Sequence, residues 1–174
     1  MDRFMDKIGD AIAPIAQKMT ANRYLSAIKE GFFGSTPILI AGSIFLLFTS
    51  LPFNGYTEFM ESTFGAGWMD FFYLPYQVSF KLMAIFVVIG MAKSLANYYK
   101  VDSKLAIALS FVGILLLTPV IVTVENVKGL PLDNFSAQGL FVCMIAAALA
   151  VEIYRWCVQK GFTIKMPDSV PQNV

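Results

Sequence analysis

The stretch "NRYLSAIKEGFFGSTPILIAGSIFLLF", Asn22 to Phe48, changes character near its middle. Its first nine residues carry three charged side chains, the last of them Glu30, and no charged residue follows until Glu58. About 20 predominantly apolar residues suffice for a helix that crosses a bilayer. The stretch therefore predicts a charged lead-in followed by a transmembrane helix over residues 32–51.

The composition of the whole chain agrees with a membrane protein. Of its 174 residues, 57% are hydrophobic and 16 are Phe, and a soluble domain of this length could not bury so much apolar surface. The sequence contains no histidine, which excludes histidine metal sites, Ser–His or Cys–His catalytic pairs and a phosphohistidine within these residues. A net charge of +1 gives no reason to expect a nucleic acid partner.

Three further apolar stretches have the length of a membrane-crossing helix. We expect helices at about 72–95, 105–124 and 137–156 in addition to 32–51. Residues 31–157 would then form a four-span membrane domain. Residues 158–174, which contain two prolines, would form a cytoplasmic linker or tail. The predicted fold is an all-α membrane protein with four transmembrane helices.

Basic residues indicate which ends of these helices share a compartment. Eleven of the 13 Lys and Arg residues precede the first span, separate the second from the third, or lie at and beyond the end of the fourth. Cytoplasmic segments of membrane proteins carry such an excess of basic residues, so both termini are predicted to be cytoplasmic. The loop between the first two spans instead carries Glu58, Glu61 and Asp70 among aromatic residues, a mixture typical of the outer membrane interface.

The first 30 residues have the pattern of an amphipathic helix. Apolar residues recur there at spacings of three or four, with Lys and Asp on the other face; they are Phe4, Ile8, Ile12, Ile15 and Met19. We expect residues 1–30 to form a helix that lies on the inner membrane surface and bends at Pro14. A helix packed against the protein's own cytoplasmic side would explain the same pattern.

Lys81 is the charged residue nearest the centre of the second predicted span. An ammonium group at mid-membrane is costly, so it should face protein or water and find polar partners. Gln77 lies four residues earlier, on the same face of the helix. Lys81 and Gln77 are therefore the candidate binding residues, as donors to a polar substrate in a water-filled cavity. If the helix begins nearer Tyr76, Lys81 would instead reach the outer interface by snorkelling.

Small residues and prolines predict how the helices pack. Gly31, Gly34 and Gly42 would allow a close approach of backbones at the first span. The fourth span has a similar ridge, which consists of Gly139, Cys143 and Ala147 with Ala146 and Ala150 beside it. These faces predict helix packing within the chain or between chains. Pro37 and Pro119 are expected to bend the first and third helices.

No pattern of catalytic residues occurs in the sequence. It has no glycine-rich phosphate loop, no pair of carboxylates at catalytic spacing and no cluster of metal ligands. Cys143 and Cys157 would lie about 21 Å apart along one helix, which is too far for a disulfide. We therefore predict no catalytic residue, no metal site and no cofactor in this chain, and an intramembrane enzyme is disfavoured.

Four segments of the chain follow one another in a recognisable order. They are "APIAQKMTANRYLSAIKEGF" leading into "TPILIAGSIFLLF", then "FGAGWMDFFYLPYQVSF", and finally "IKMPDSVPQNV". With these segments the chain resembles the membrane component, enzyme IIC, of the bacterial phosphotransferase system, in the branch for lactose, cellobiose and N,N'-diacetylchitobiose. The ordered set, which extends over nearly the whole chain, carries the resemblance, because no segment is specific alone.

The resemblance implies a multi-pass permease in the bacterial cell membrane. Such a carrier binds a disaccharide from outside and alternates access, and a partner, enzyme IIB, phosphorylates the sugar on the cytoplasmic side. Members are homodimers in the lipid bilayer, with their N-terminal helices forming much of the contact. The family is more than twice as long as this chain, and its main sugar-contacting residues belong to its C-terminal half.

The chain is thus expected to be the N-terminal scaffold and dimerisation part of a permease. Lys81 and Gln77 are its candidates for one wall of the sugar cavity. The alternative is a free-standing, four-span dimeric scaffold or accessory membrane protein without transport activity of its own, which the small-residue faces would also suit.

Overall fold

The computed structural model describes residues 21–118, 122–124 and 127–162, and within them the chain forms six α-helices. The helices are α1 (Arg23–Thr49), α2 (Tyr56–Phe64), α3 (Trp68–Lys81), α4 (Met83–Tyr99), α5 (Ser103–Leu117) and α6 (Leu140–Gln159). Between α5 and α6 lie two short antiparallel strands, β1 (Val122–Val124) and β2 (Val127–Gly129), and a 3-10 turn, Leu132–Phe135. The predicted helical fold is confirmed, with one small hairpin added. Most of the predicted N-terminal helix and of the predicted tail lies outside the described residues.

Helix α1 joins the charged lead-in to the first apolar stretch without a break. The side-chain oxygen of Asn22 accepts hydrogen bonds from the backbone N–H groups of Tyr24 (3.0 Å) and Leu25 (3.4 Å), so Asn22 caps the helix. The helix therefore begins at Arg23, before the predicted span of residues 32–51. Its 27 residues measure about 40 Å, and residues 23–30 of the predicted interfacial segment belong to it.

The second predicted span consists of two helices. Helices α3 and α4 meet at Leu82 with a bend of 42°. The predicted span of residues 72–95 therefore contains a bend that the sequence analysis did not foresee. No proline or glycine stands between Lys81 and Ala84, so the sequence holds no breaker at the bend, and Pro75 lies inside α3 without ending it.

The bent pair runs antiparallel along the whole of α1. Gly31 contacts the backbone of α4 at Val87, and a Cβ atom on Gly90 would lie 2.8 Å from the Cα of Gly31. Further along α1, a Cβ on Gly42 would lie 2.5 Å from the Cβ of Ser79 on α3. Small residues at these crossings let the backbones approach closely. Residues early in α1 contact α4, and residues late in α1 contact α3, which precedes α4 in the sequence. Together α3 and α4 therefore follow the full length of α1.

Helix α4 lies at the centre of the fold, in contact with α1, α5 and α6. Its buried side chains are apolar and mostly small to medium in size: Ala84, Val87, Val88, Met91, Ala92, Leu95 and Ala96. Cys143, Ala146 and Ala147 of α6 are also buried in this core. The ridge predicted on the fourth span therefore packs inside the chain.

Helix α5 is shorter than the predicted third span of residues 105–124. It ends at Leu117, and Thr118 has an extended backbone (φ −94°, ψ 123°). A residue that precedes proline is disfavoured in the helical region, so the Thr118-Pro119 pair stops the helix. Pro119 itself, at which a bend was predicted, lies outside the described residues. The 15 residues of α5 measure about 22 Å.

The lengths and compositions of the described helices decide which can cross a membrane alone. Helices α1 and α6 are each long and apolar enough, and the bent pair α3–α4 counts as a third crossing if it is taken as one span. Helix α5 is apolar but falls short of the required length. Cys143 and Cys157 both lie on α6 and are free thiols, as the sequence predicts.

Candidate functional site

Lys81 is the last residue of α3, directly before the bend at Leu82. Its side chain is exposed, and Gln77, one turn earlier on the same helix, is half-buried. Among the described residues, neither side chain has a partner in a hydrogen bond or an ion pair. The structure thus places the two predicted binding residues one turn apart on α3, without a polar partner among the described residues. Their role in binding stays a prediction.

Glu152 of α6 makes the most organised polar contacts of the described chain. Its Oε1 atom accepts a hydrogen bond of 2.7 Å from the hydroxyl of Tyr24 and a second from the hydroxyl of Tyr99. Its Oε2 atom lies 2.9 Å from the Nη2 atom of Arg155. The carboxylate therefore joins α1, α4 and α6, and these residues are called the Glu152 cluster below, together with Arg23.

Two guanidinium groups complete the Glu152 cluster. The Arg155 guanidinium lies 4.6 Å from the centre of the Tyr99 ring, and that of Arg23 lies 5.4 Å from it. A cation over an aromatic face is attracted by the negative charge density of the ring. The cluster thus holds three helix ends with charge-assisted hydrogen bonds, which are stronger than neutral ones, and with cation–π contacts.

The sequence analysis did not find this cluster. Tyr24 and Glu152 are separated by 128 positions, and only the folded chain brings them together. The available signal was local: Glu152 and Arg155 stand three residues apart on one helix, a spacing that favours an ion pair. Nothing in that spacing identifies the two tyrosines.

Most basic residues lie near the cluster because three helix ends meet there. These are the start of α1, the end of α4 and the end of α6. Within about two helical turns of the cluster along the chain stand Arg23, Lys29, Lys93, Lys100, Lys104, Arg155 and Lys160. This end of the molecule is called the basic end below. Acidic Glu58, Glu61 and Asp70 belong to α2 and α3, beyond the opposite end of α1.

A groove lies between α1 and α4 and has a volume of about 860 Å³. Two sets of side chains line it. Helix α1 contributes Ser26, Glu30, Phe33, Gly34 and Ile38, and helix α4 contributes Phe86, Ile89, Gly90, Lys93, Ser94 and Asn97. On each helix these residues recur at spacings of three or four, so each set forms one face. The volume falls within the range of pockets for small molecules.

The glycines of α1 have two different surroundings. Gly31 and Gly42 touch α4 and α3 closely, whereas a Cβ on Gly34 would meet no atom of the described residues within 4 Å. The predicted close approach is therefore confirmed within the chain for Gly31 and Gly42, whereas Gly34 forms part of the groove wall and its packing stays a prediction.

Comparison with known proteins places these features in a family. A family model described as "Phosphotransferase system, EIIC" matches residues 29–174. The whole chain is 42% identical to the cellobiose-specific EIIC component of the PTS system of Geobacillus stearothermophilus and covers 41% of that protein. It is 37% identical, again over its whole length, to the lichenan permease IIC component of Bacillus subtilis (strain 168), of which it covers 40%.

A solved structure has the same fold. The crystal structure of the transporter ChbC, the IIC component from the N,N'-diacetylchitobiose-specific phosphotransferase system, matches 94% of this chain with a TM-score of 0.83 at 42% identity. The match covers 40% of the ChbC chain. The present chain thus spans about two fifths of the length of these relatives. The matched residues and this likeness in both sequence and fold show that the chain belongs to the EIIC family of the phosphotransferase system.

Proposed function

We propose that this chain is the N-terminal part of a phosphotransferase-system permease that carries a disaccharide of the cellobiose or N,N'-diacetylchitobiose type. The observation that carries the proposal is the likeness to ChbC, which combines 42% identity with a TM-score of 0.83 over nearly the whole chain. The proposed reaction couples translocation to phosphorylation of the sugar by enzyme IIB at the cytoplasmic side. The catalytic groups and most of the sugar contacts would lie outside these residues.

The proposal includes four membrane crossings, made by α1, the α3–α4 pair, α5 and α6. The antiparallel course of the pair along α1 supports counting the pair as one bent crossing rather than as a loop that returns to the same side. For α5, the support is its packing against α6, where a Cβ on Gly113 would lie 3.4 Å from the Cβ of Ala150. Its helix is short, so Thr118, whose backbone is extended, and the residues that follow it would have to complete the crossing.

Both termini are proposed to be cytoplasmic. The convergence of three helix ends at the Glu152 cluster supports this orientation, because it gathers the basic residues at one end of the molecule. An excess of Lys and Arg marks the cytoplasmic side of membrane proteins in bacterial cell membranes.

The scaffold and homodimer roles are also proposed, with a change in the expected contact. The small-residue faces that suggested a dimer are packed within the chain, at Gly31, Gly42 and Cys143. A dimer contact would then use larger exposed apolar side chains, such as Leu116 and Phe141. With the small-residue faces occupied, no observation favours a free-standing scaffold or accessory protein over a permease.

Lys81 and Gln77 are proposed to form part of the wall of the sugar cavity. The exposure of Lys81 at a helix bend supports this role, because the ammonium group is then available to sugar hydroxyl groups. In the intact polypeptide encoded by the source gene, Lys81→Ala should weaken disaccharide binding by about tenfold, as expected for the loss of one hydrogen bond from a charged donor. Equal affinities in isothermal titration for wild type, Lys81→Ala and the control Lys104→Ala would leave only the snorkelling interpretation.

Uptake by whole cells tests the central proposal. A bacterial strain that lacks its own permeases for these sugars would express the intact polypeptide together with its enzyme IIB. We expect phosphorylated radiolabelled cellobiose or N,N'-diacetylchitobiose to accumulate, and accumulation to stop when enzyme IIB is omitted. Failure to take up either sugar, with the protein present in the membrane fraction, would contradict the proposed function.

A further inference from the structure

The groove between α1 and α4 changes from polar to apolar along its length. On α1 the order is Ser26 and Glu30 first, then Phe33 and Ile38. Helix α4 runs in the opposite direction, and its groove residues change from apolar Phe86 to polar Asn97. Because the two helices are antiparallel, both polar sets lie at the basic end, and both apolar sets lie toward the middle of α1.

The length of the groove corresponds to half of a membrane. From Ser26 to Ile38 the rise along α1 is about 18 Å, and the hydrocarbon core of a bilayer is about 30 Å thick. A transmembrane helix of a partner would need a groove through the whole core. This groove suits an elongated molecule that reaches from the headgroup region to about mid-membrane.

The apolar half of the groove is open. Phe33 is 69% exposed and Ile89 is 41% exposed, and a Cβ on Gly34 would have no described atom within 4 Å. A saturated chain can bury apolar surface there without losing hydrogen bonds to water. A sugar would have no polar partner in this half, and its hydroxyl groups would be desolvated without compensation.

The polar half of the groove offers both signs of charge. Glu30 and Lys93 line it together with the side chains of Ser94 and Asn97. The Glu30 carboxylate pairs with neighbouring Lys29 at 3.5 Å, with both side chains about half exposed. Such surface pairs contribute little free energy, so Glu30 can exchange this partner for another cation.

We propose that the groove binds one zwitterionic phospholipid whose headgroup carries a phosphate and an ammonium group, as in phosphatidylethanolamine. Lys93, Ser94 and Asn97 donate to the phosphate oxygens, and Glu30 accepts from the ammonium group. One acyl chain lies along Gly34 toward Ile38. The proposal rests on the proposed membrane placement of the chain, and it holds whichever sugar is transported.

Native mass spectrometry of the intact polypeptide, released from detergent micelles, tests the proposal. The probes are phosphatidylethanolamine and phosphatidylglycerol with identical acyl chains. We expect one phosphatidylethanolamine to be retained per chain, with about fivefold preference over phosphatidylglycerol, the ratio expected for one exposed ion pair. Equal retention of both lipids by the wild type would overturn the assignment of the headgroup.

Three variants locate the bound lipid. Gly34→Leu should abolish lipid retention because its side chain fills the open groove. Gly67→Leu should not, because Gly67 lies between α2 and α3 and does not line the groove, although its Cβ would also meet no described atom within 4 Å. Glu30→Gln should remove the preference for phosphatidylethanolamine, and Lys93→Gln should reduce the retention of both lipids. Glu30→Gln and Lys93→Gln change exposed side chains, so they still test the proposed headgroup contacts if Gly34→Leu does not fold.

Two results would overturn the proposal. One is full lipid retention by a folded Gly34→Leu variant, as judged by circular dichroism. The other is a chain dimer that Gly34→Leu dissociates while the lipid stays bound, which would identify a second copy as the occupant. A separate uptake assay distinguishes the two proposals, because a transporting protein with no groove lipid contradicts only the lipid site. A chain that does not enter membranes contradicts both.

Discussion

Glu152 and Lys81 are both charged residues in apolar helices, yet their surroundings are opposite. Glu152 accepts two tyrosine hydroxyl groups and pairs with Arg155, and its side chain is 23% exposed. Lys81 stands exposed at the end of α3 beside a bend. The contrast teaches that a charge in an apolar sequence has two explanations. The charge of Glu152 joins three helices. The charge of Lys81 remains available to a group that lies outside these helices.

The largest expected effect comes from removing the carboxylate of the cluster. Glu152→Ala leaves Arg155 without its partner and two tyrosine hydroxyl groups without their acceptor, and we expect the free energy of unfolding to fall by about 2 kcal/mol. This value is reduced for partial exposure. Thermal unfolding in detergent, followed by circular dichroism, measures it. Glu61→Ala on exposed α2 is the control, and equal stability of the two variants would remove the contrast between Glu152 and an ordinary surface charge.

Gly42→Ala tests whether Lys81 is exposed because α3 packs only weakly on α1. Gly42→Ala places a Cβ 2.5 Å from that of Ser79, two residues before Lys81, so α3 must shift away from α1. We expect a loss of about 1.5 kcal/mol from overpacking. Gly34→Ala, whose Cβ would have no neighbour within 4 Å in the described part of the chain, should be neutral or stabilise the helix by up to about 1 kcal/mol. If both variants have the same unfolding temperature, α3 is not firmly packed on α1.

The contribution of a tyrosine to the Glu152 cluster can be measured separately. Tyr99→Phe removes one hydrogen bond to Glu152 and keeps the ring under the guanidinium groups, and we expect a loss of about 1 kcal/mol. Its neighbour Tyr98, which is 62% exposed, provides the control Tyr98→Phe. Indistinguishable stabilities in denaturant titration would mean that Tyr24 alone supplies the hydroxyl that matters to Glu152.

The smallest expected effect on stability is that of Lys81→Ala. The side chain makes no polar contact within the described chain, so the free energy of unfolding should change by less than about 0.5 kcal/mol. The same unfolding experiment measures the change, with Lys104→Ala for comparison. A loss as large as that of Glu152→Ala would show that Lys81 has a structural partner and would end the proposed contrast.

The sequence was sufficient to predict a helical membrane protein and the approximate position of each apolar helix. It also predicted that Gly31, Gly42 and Cys143 lie at close helix contacts. These features depend on local composition and on the helical period, both of which are visible in one sequence. The start of α1 was also within reach, because Asn22 is a good capping residue. The charged residues up to Glu30 indicated where the membrane-spanning part begins. The helix α1, however, begins earlier, at Arg23.

Other features depend on contacts between distant segments. The bend at Leu82 has no breaker in its sequence, and the Glu152 cluster unites residues of three helices. The groove exists because no described atom lies within 4 Å of a Cβ on Gly34, whereas Gly31, three residues before it, touches α4. Only the packing direction of α1 distinguishes these two glycines, and that direction is a property of the fold. The end of α5 could have been predicted, since Thr118-Pro119 is a known helix stop.

The two close crossings of α1 make its length as important as its composition. Gly31 and Gly42 meet different helices, and the step of 11 positions from one to the other is about three turns, so both point to nearly the same side. Inserting or deleting one residue between them would rotate one glycine by about 100° relative to the other. We therefore expect homologues to vary freely in the apolar side chains of this interval while conserving its number of residues.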